Sequence, residues 1–160
     1  MFALYYVIDM TQKQIYIKNK KAGFEFEIIQ TFTAGLILTG TEIKSLRLGK
    51  ASVTESFGYM HNGELWIKGM HISEYSFGSY NNHDPIRERK VLLKKRELIK
   101  IEEKLKDKGV TITILSLYIT PRGWAKVDIA LARGKKLHDK REDIKTKDAK
   151  REMDRVMKSH

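Results

Sequence analysis

The sequence predicts a mainly β protein of one domain, and three observations point to that class. Apolar and polar residues alternate with a period of two over most of the chain, which is typical of half-buried strands. Two helix signals interrupt the strands without alternating with them regularly, which disfavours a doubly wound parallel sheet. A chain of 160 residues, 41% of them hydrophobic, is long enough to bury one core.

Short strand signals follow one another along the body of the chain. The predicted strands lie in the segments FEFEI (24–28), GLILTG (35–40), ELWIKGMHI (64–72), VTITILSLYI (110–119) and AKVDIALA (125–132). In the first of these segments the alternation puts Phe24, Phe26 and Ile28 on one face. The segment TPRG supplies Pro and Gly for a turn between the last two strands, which predicts an antiparallel hairpin there.

Two segments carry helix signals. In TGTEIKSLRLGK, Thr41 is a candidate N-cap, Glu42 lies in the first turn and Gly49 follows the end. In KKRELIKIEEKLKDKG, Gly109 marks the stop. Its apolar stripe consists of Leu98, Ile101 and Leu105. We expect that stripe to cover an open end of a barrel or a sheet face.

Short strands with two intervening helices predict an OB-like antiparallel β-barrel with two or three helices and a disordered basic C-terminal tail. The barrel is predicted at residues 10–133 and the tail at 134–160. Residues 1–9 are predicted to be a loose N-terminal extension. They are apolar but too short to span a bilayer, and the segment that begins at Met10 looks more like the usual start of a protein.

The tail has too few apolar residues after Leu137 to bury a core. Its basic residues recur at spacings of four, four and three, so that a helix would place them on one face: Lys147, Arg151, Arg155 and Lys158. Isolated helices of this length are marginal in water. We therefore expect the tail to be disordered in the free protein and helical on a partner.

The charge balance favours an acidic partner. Lys and Arg number 31 against 20 Asp and Glu, for a net charge of +11. This favours nucleic acid first and an anionic membrane second. Four basic clusters contribute, at 18–24, 44–50, 87–96 and in the tail. Each alone is also consistent with a solvated face. Together they predict RNA binding that weakens steeply with salt.

The first cluster adds a hydrogen-bonding amide, Asn19, and a ring, Phe24, which suits unpaired RNA bases. The favoured alternative for Phe24 is that it points into the barrel, since it shares parity with Phe26 and Ile28.

Little in the chain indicates catalysis. It has no P-loop, dinucleotide fingerprint or nucleophile elbow, and without Cys it has no thiolate metal site. In NNHDP, with His71 upstream, His83 and Asp84 are candidate ligands or a catalytic centre. The favoured interpretation is a turn in which Asp84 accepts local backbone hydrogen bonds. No catalytic residue, metal or cofactor is predicted.

Several motifs together resemble a known family. In order they are NKKA, AGLILTGTEIKSLRLGKA, GELWIKGMHIS, NHDPIRERKVLL and KVDIALARGKKLHDKRE, followed by KRE in the tail. From about Asn19 to the C-terminus the chain is similar to small protein B, the tmRNA-binding family of bacterial trans-translation. The resemblance implies an OB-like barrel with about three helices and a non-enzymatic role. It implies binding to the tRNA-like domain of tmRNA and its delivery to stalled ribosomes.

The resemblance also implies site residues. The RNA-binding set is Asn19, Lys20, Lys21, Phe24, Glu42, Lys44, Arg133, Gly134, Lys135 and Lys136. Lysines would contact phosphate, Asn19 would read a base or sugar edge, and Gly134 would let the backbone approach RNA. Glu42 fits better as a helix N-terminal charge or as a partner that orients a lysine.

In the tail, the residues implied for the ribosomal decoding centre are His138, Asp139, Lys140 and Arg141. The helix bearing Lys147, Arg151, Arg155 and Lys158 would enter the vacant mRNA channel. The implied partners are tmRNA, small-subunit rRNA at the decoding centre and, indirectly through alanyl-tmRNA, elongation factor Tu. The protein would be a cytoplasmic monomer that uses no membrane.

The chain departs from the family at a few positions. Gly23 and Phe24 stand where Arg-His is usual, Phe26 where Tyr is usual, and Thr33 where many members have Glu. Three alternatives stay open. They are a generic OB-fold single-stranded RNA binder, an RNA-modifying or cleaving enzyme centred on His83 and Asp84, and a membrane-surface role for the tail. The last is disfavoured because the tail lacks an aromatic-rich face.

Overall fold

The computed structural model describes residues 15–158. The predicted extension at residues 1–9 therefore lies outside the described residues. Within this range the chain forms nine strands, four α-helices and one 3₁₀ helix. In chain order they are β1 (Tyr16–Lys18), α1 (Ala22–Glu25), β2 (Phe26–Leu36), α2 (Gly40–Arg47), β3 (Ala51–Ser52), β4 (Phe57–His61), β5 (Glu64–Lys68), β6 (His71–Ile72), the 3₁₀ helix (Ser79–Asn81), β7 (Arg89–Leu92), α3 (Lys95–Leu105), β8 (Val110–Ile119), β9 (Ala125–Gly134) and α4 (Leu137–Lys158).

The main sheet is antiparallel and closes on itself. Its seven strands follow the order β1-β8-β4-β5-β7-β2-β9, and β9 also pairs with β8. Strands β8, β4, β5, β7, β2 and β9 therefore form a ring, to which β1 is attached along β8. Strands β3 and β6 make a separate pair. The mainly β class is confirmed, and so is the predicted hairpin, where Thr120 donates its backbone N–H to the carbonyl of Trp124 at 2.9 Å.

Two irregularities bend the long strands. The register shifts between Ile28 and Gln30 in β2 and between Ile114 and Ser116 in β8. An extra residue on one strand increases its bend and twist, which helps a sheet to close. In β8 it also changes which side chains face inward, since both Ile114 and Leu117 are fully buried although they differ in parity.

The prediction that Phe24, Phe26 and Ile28 share one face of a strand is wrong. Phe24 belongs to α1, so the period-two pattern does not extend back to it. Strand β2 begins at Phe26, which is half-buried, and Ile28 is 37% exposed. The buried residues of β2 come at its other end, at Ala34 and Leu36. A single helical turn and a bulge therefore interrupt a pattern that looks like continuous alternation.

The N-cap of helix α2 lies two residues before the predicted one. Thr39 is the N-cap, whose hydroxyl accepts from the N–H of Glu42 at 3.4 Å, while the Glu42 carboxylate accepts from the Thr39 N–H at 2.7 Å. This reciprocal pair is a capping box. The predicted cap, Thr41, instead places its hydroxyl 2.9 Å from Nδ1 of His83. The predicted end is confirmed, since Gly49 follows the helix with a φ of 72°.

Helix α3 has the predicted stripe and stop. Ile101 is fully buried in the core, and Leu98 and Leu105 pack against it half-buried. Gly109 ends the segment with a φ of 82°, a conformation that favours glycine. The structure has four α-helices where two or three are predicted: α1 is a single turn without a sequence signal, and α4 lies in the segment expected to be disordered in the free protein.

The NHDP segment forms the predicted turn. Oδ1 of Asp84 accepts a hydrogen bond from the N–H of Ile86 at 3.0 Å. His83 is 7% exposed, and its Nε2 donates to the carbonyl of Ile72 at 3.0 Å. Because its other nitrogen contacts Thr41, the imidazole joins three segments of the fold.

A buried ion cluster attaches α2 to β7. Nε of Arg87 and Nε of Arg89 both donate to Oε1 of Glu42, at 2.7 and 2.8 Å. Both Glu42 and Arg89 are fully buried. The Arg89 guanidinium also donates to the carbonyls of Met70, Arg87 and Pro85. Buried charges are tolerated when they are paired and hydrogen-bonded in this way.

The arginines keep Glu42 ionised. Burial alone would raise the pKa of its carboxyl group. The hydrogen bond from Arg87, the backbone N–H of Thr39 and the charges of Arg89 and Arg87 together outweigh burial, so the pKa lies below its ordinary value of 4.5. A carboxyl group with a lowered pKa in the folded state stabilises the fold above pH 4.5, and this contribution is lost as the pH falls through the folded value.

We predict that Glu42→Ala lowers the free energy of unfolding by about 3–5 kcal/mol, because it leaves the Arg89 charge buried without its partner. Urea denaturation measures this, with Glu102→Ala, an exposed glutamate of α3, as the control. The variant should also lose less stability than the wild type between pH 4.5 and more acidic pH. Equal stability of the two variants would contradict a stabilising role for the cluster.

Candidate nucleic-acid interface

The segment before α1 is organised by Asn19. Its side-chain oxygen accepts from the N–H groups of Lys21 and Ala22 at 3.0 and 3.2 Å, and its amide donates to the carbonyl of Ile114 at 3.0 Å. Asn19 is only 5% exposed. The structure thus corrects the expectation that Asn19 reads a base edge, because its hydrogen-bonding groups are used inside the protein. It fixes the backbone from which Lys20 projects.

The start of β2 brings the two predicted lysine segments together. Phe26 pairs with Gly134 in the antiparallel register of β2 and β9. One step further, the N–H of Lys135 donates to the carbonyl of Glu25 at 2.9 Å. We define the lysine surface as the basic side chains that this pairing places around α1: Lys20, Lys21, Arg133, Lys135 and Lys136. All are exposed except Lys135, which is half-buried.

Phe24 lies beside this surface. Its ring, on α1, is 40% exposed, so part of it is available to a base. The favoured interpretation, a ring pointing into the barrel, is therefore wrong. At Gly23 a Cβ would meet no atom within 4 Å, so no close packing explains the glycine at this position.

The departure at Thr33 is matched across the sheet. Thr33 lies opposite Asp128, and its hydroxyl donates to Oδ1 of Asp128 at 2.7 Å. Ser116 donates to the other carboxylate oxygen at 2.7 Å. Asp128 thus places a carboxylate on β9 opposite Thr33, where it accepts hydrogen bonds from the hydroxyl groups of Thr33, Ser116 and Tyr118.

Glu42 and Lys44 do not join the lysine surface. The carboxylate of Glu42 is fully buried and faces Arg87 and Arg89, which corrects its assignment as an RNA contact. The ammonium group of Lys44 lies 5.4 Å from the ring centroid of Tyr75, in the loop that follows β6. The basic cluster predicted at 87–96 offers less free charge than its sequence suggests, because Arg89 is buried and both Arg87 and Arg89 pair with Glu42.

The tail forms α4 and leaves the sheet next to the lysine surface. Nζ of Lys135 lies 2.6 Å from the carboxylate of Asp143, which ties the first turns of α4 to the end of β9. Nε2 of His138 lies 3.6 Å from Oε1 of Glu142. Among the residues of α4 none is buried. Disorder of this segment in the free protein and its folding on a partner stay predictions.

Both predicted sets in the tail lie on this helix. The first turns carry His138, Asp139, Lys140 and Arg141. The later turns carry Lys147, Arg151, Arg155 and Lys158, all exposed. The latter four share one face, as their spacing predicts. Arg151 has an acidic neighbour, Asp148, at 3.7 Å, a weak exposed pair that an incoming phosphate would readily replace.

Two properties of residues 15–158 bear on the alternatives. No group of three or more His, Cys, Asp or Glu side chains in that range could hold a metal ion. Within the same range, none of the helices is both long enough and apolar enough to cross a membrane.

A ring of antiparallel strands with cations gathered at one end, continued by an exposed basic helix, defines a nucleic-acid-binding protein. The family model for SmpB protein matches residues 16–159. The SsrA-binding protein of Phocaeicola vulgatus is 57% identical over 149 residues, which cover 93% of this chain and 99% of the relative. That of Bacteroides thetaiotaomicron is 55% identical over 149 residues, with the same coverage. The chain belongs to the SmpB family.

A solved structure supports the same assignment. It is described as "tmRNA-SmpB: a journey to the center of the bacterial ribosome", and one of its chains is 46% identical to this one with a TM-score of 0.66. The match covers 77% of this chain and 86% of the other. The family assignment that the motifs suggested is therefore confirmed.

We predict that Asn19→Ala lowers the free energy of unfolding by about 1–3 kcal/mol, because buried N–H and carbonyl groups lose their partner. Its RNA affinity should fall as well, because Lys20 and Lys21 lose their fixed backbone. Lys20→Ala is the control, and it should lower affinity without changing stability. If Asn19→Ala weakened RNA binding at unchanged stability, a direct contact would be the better explanation.

Proposed function

We propose that this protein binds the tRNA-like domain of tmRNA through the lysine surface and delivers it to stalled ribosomes for trans-translation. The observation that carries the proposal is the junction of β9 with α1 and α4. There, one small region joins exposed lysines, a partly exposed ring and the base of a basic helix. The SsrA-binding relatives and the tmRNA-SmpB ribosome structure support it.

The chemistry of the lysine surface suits RNA. Flexible ammonium groups neutralise phosphates, and the ring of Phe24 can stack on an unpaired base. Lys135 pairs with Asp143, and an incoming RNA phosphate would compete with Asp143 for its ammonium group. Its two states would couple RNA binding to the orientation of α4, because a phosphate that takes Lys135 releases Asp143.

The tail is proposed to act on the ribosome. Only Lys135 and Lys136 separate β9 from α4, so His138, Asp139, Lys140 and Arg141 stay near the body of the protein. We assign these four to the decoding centre. The rest of α4 extends away. The whole of α4, with 22 residues, forms a rod about 33 Å long, and its later turns carry Lys147, Arg151, Arg155 and Lys158 along one face.

Such a rod suits the channel through which mRNA would otherwise run. An mRNA already in the channel would exclude the helix by volume and by charge, so binding would report that the channel is vacant. If α4 folds only there, the ordering cost offsets part of the electrostatic gain and keeps the complex reversible.

The proposed role is binding and delivery rather than turnover. His83, the strongest catalytic candidate, is buried, and both ring nitrogens contact the protein's own atoms, Thr41 and Ile72. A generic single-stranded RNA binder is the second candidate. The presence of α4 disfavours it, because binding single strands requires no exposed helix beyond the barrel.

Binding of the full chain to tmRNA, ordinary tRNA and random single-stranded RNA at physiological salt tests the function. We expect tmRNA to bind most tightly. Equal affinity for all three RNAs would favour the generic binder.

We predict that replacing Lys20, Lys21, Lys135 and Lys136 together by Ala lowers tmRNA affinity and flattens its dependence on salt. The slope of log K against log salt concentration should fall by roughly one for each phosphate that the variant no longer neutralises. The matched control removes the same charge from four exposed lysines elsewhere: Lys100, Lys104, Lys106 and Lys108. An unchanged slope in the first variant would show that the lysine surface does not touch phosphate.

We predict that deleting residues 139–160 leaves the fold and tmRNA affinity nearly unchanged but abolishes peptide tagging on stalled ribosomes. The physical reason is that α4 contributes no buried residue to the core. Thermal unfolding, tmRNA affinity and a reconstituted tagging reaction measure the three effects. Normal tagging by the truncated protein would contradict the assignment of the tail.

A further inference from the structure

The loop between β6 and β7 carries two aromatic side chains that the fold leaves outside. Phe77 is 84% exposed and Tyr80 is 92% exposed. Among the described residues, no other large hydrophobic side chain is as exposed as these two. Single exposed apolar residues are ordinary, but two rings three positions apart on one loop mark a surface that contacts something. We call residues 75–82 the aromatic loop.

The backbone of the aromatic loop is built in one conformation. Oδ1 of Asn82 accepts from the N–H of Tyr75 at 3.0 Å, and Nδ2 of Asn82 donates to the carbonyl of Tyr75 at 2.7 Å. Gly78 also donates to that carbonyl, at 2.8 Å. Gly78 sits so close that a Cβ there would lie 2.6 Å from the Asn82 amide. Ser79 adopts a φ of 51°, which is uncommon for a residue other than glycine.

The two hydrogen bonds between Asn82 and Tyr75 and the positive φ of Ser79 fix the backbone that carries the two rings. A loop without these hydrogen bonds could turn Phe77 or Tyr80 back against the protein and reduce the exposed apolar area. Here the hydrogen bonds of Asn82 oppose that collapse. A platform ordered before binding loses less conformational entropy when a partner arrives.

Two lysines lie on the α2 side of the loop. The ammonium group of Lys44 lies over the ring of Tyr75, and Tyr75 contacts Phe77 edge-on with ring centroids 5.6 Å apart. Lys50, just after the same helix, is exposed, and its carbonyl accepts from the N–H of Ser73 at 3.0 Å. From Ser73 to Asn82 the sequence has one acid, Glu74. Cations beside exposed rings are the combination used to hold single-stranded nucleic acid.

We propose that the aromatic loop is a stacking platform for an unpaired base of the tRNA-like domain of tmRNA, with Phe77 and Tyr80 as the stacking rings. The proposal rests on the proposed function and adds a second contact, next to α2, to the lysine surface. Lys44 would contact the phosphate beside that base. The rings protrude, so they suit the flat face of a base. An apolar peptide side chain would need a concave pocket.

The test uses the full chain carrying both Phe77→Ala and Tyr80→Ala. We expect the Kd for the tRNA-like domain to rise about five-fold or more, since the lower end of the range for stacking a base on an aromatic ring corresponds to that factor. The salt slope should stay unchanged because the rings neutralise no phosphate. Thermal stability should also stay unchanged, because both rings are exposed. Trp124→Ala, which removes a 68% exposed ring from the β8–β9 turn, is the matched control and should bind normally.

Two further readouts identify the contact. Tyr80→Phe keeps the ring and should retain wild-type affinity. Chemical probing of the RNA should show an unpaired base protected by the wild type and reactive with the double variant. Unchanged affinity of the double variant, or an equal loss in Trp124→Ala, would overturn the proposal while leaving the proposed function intact. Failure of the wild type to prefer tmRNA over ordinary tRNA would instead overturn the proposed function.

Discussion

Strand β9 pairs with β2 along one side and with β8 along the other, and the positions of the functional side chains depend on this double pairing. It closes the ring and sets Gly134 opposite Phe26, so that the chain leaves the sheet beside α1. Lysines more than a hundred positions apart in sequence thereby share one surface. Without the β8 pairing, β9 would be an edge strand with unpaired backbone groups, and the root of α4 would have no fixed place.

The positive charge of the chain serves two purposes that composition does not separate. Arg89 lies inside, where its planar guanidinium binds Glu42 and three carbonyl oxygens at once. Lys20 and Lys21 lie outside on flexible stems, where they are free to follow a phosphate backbone. The pattern RERK therefore suggests a basic surface, although both of its arginines pair with one buried carboxylate on α2.

Prediction from sequence succeeded where the signal was local and long. The stripe of α3, the terminal hairpin and the one-sided charge of α4 follow from periodicity and turn residues within one element. It failed at α1 and at the bulges, where one helical turn or one extra residue changes parity without a compositional mark. At the candidate site, exposure of the predicted lysines follows from residue type alone, because flexible cations lie on the surface in most folds. The internal role of Asn19 could not be predicted from the sequence, because its partner Ile114 is remote in sequence.

The sequence by itself determined the β class, the two central helices, the absence of thiol chemistry and a basic tail unable to form a core. Its motifs also determined the family, since that requires only residue identities in order. Tertiary structure decided which polar groups face solvent. It buried Asn19 and Glu42, whose side chains form hydrogen bonds inside the protein, and it left Phe77 and Tyr80 exposed on the aromatic loop. Burial depends on strand pairing between distant segments, and no local pattern encodes that pairing.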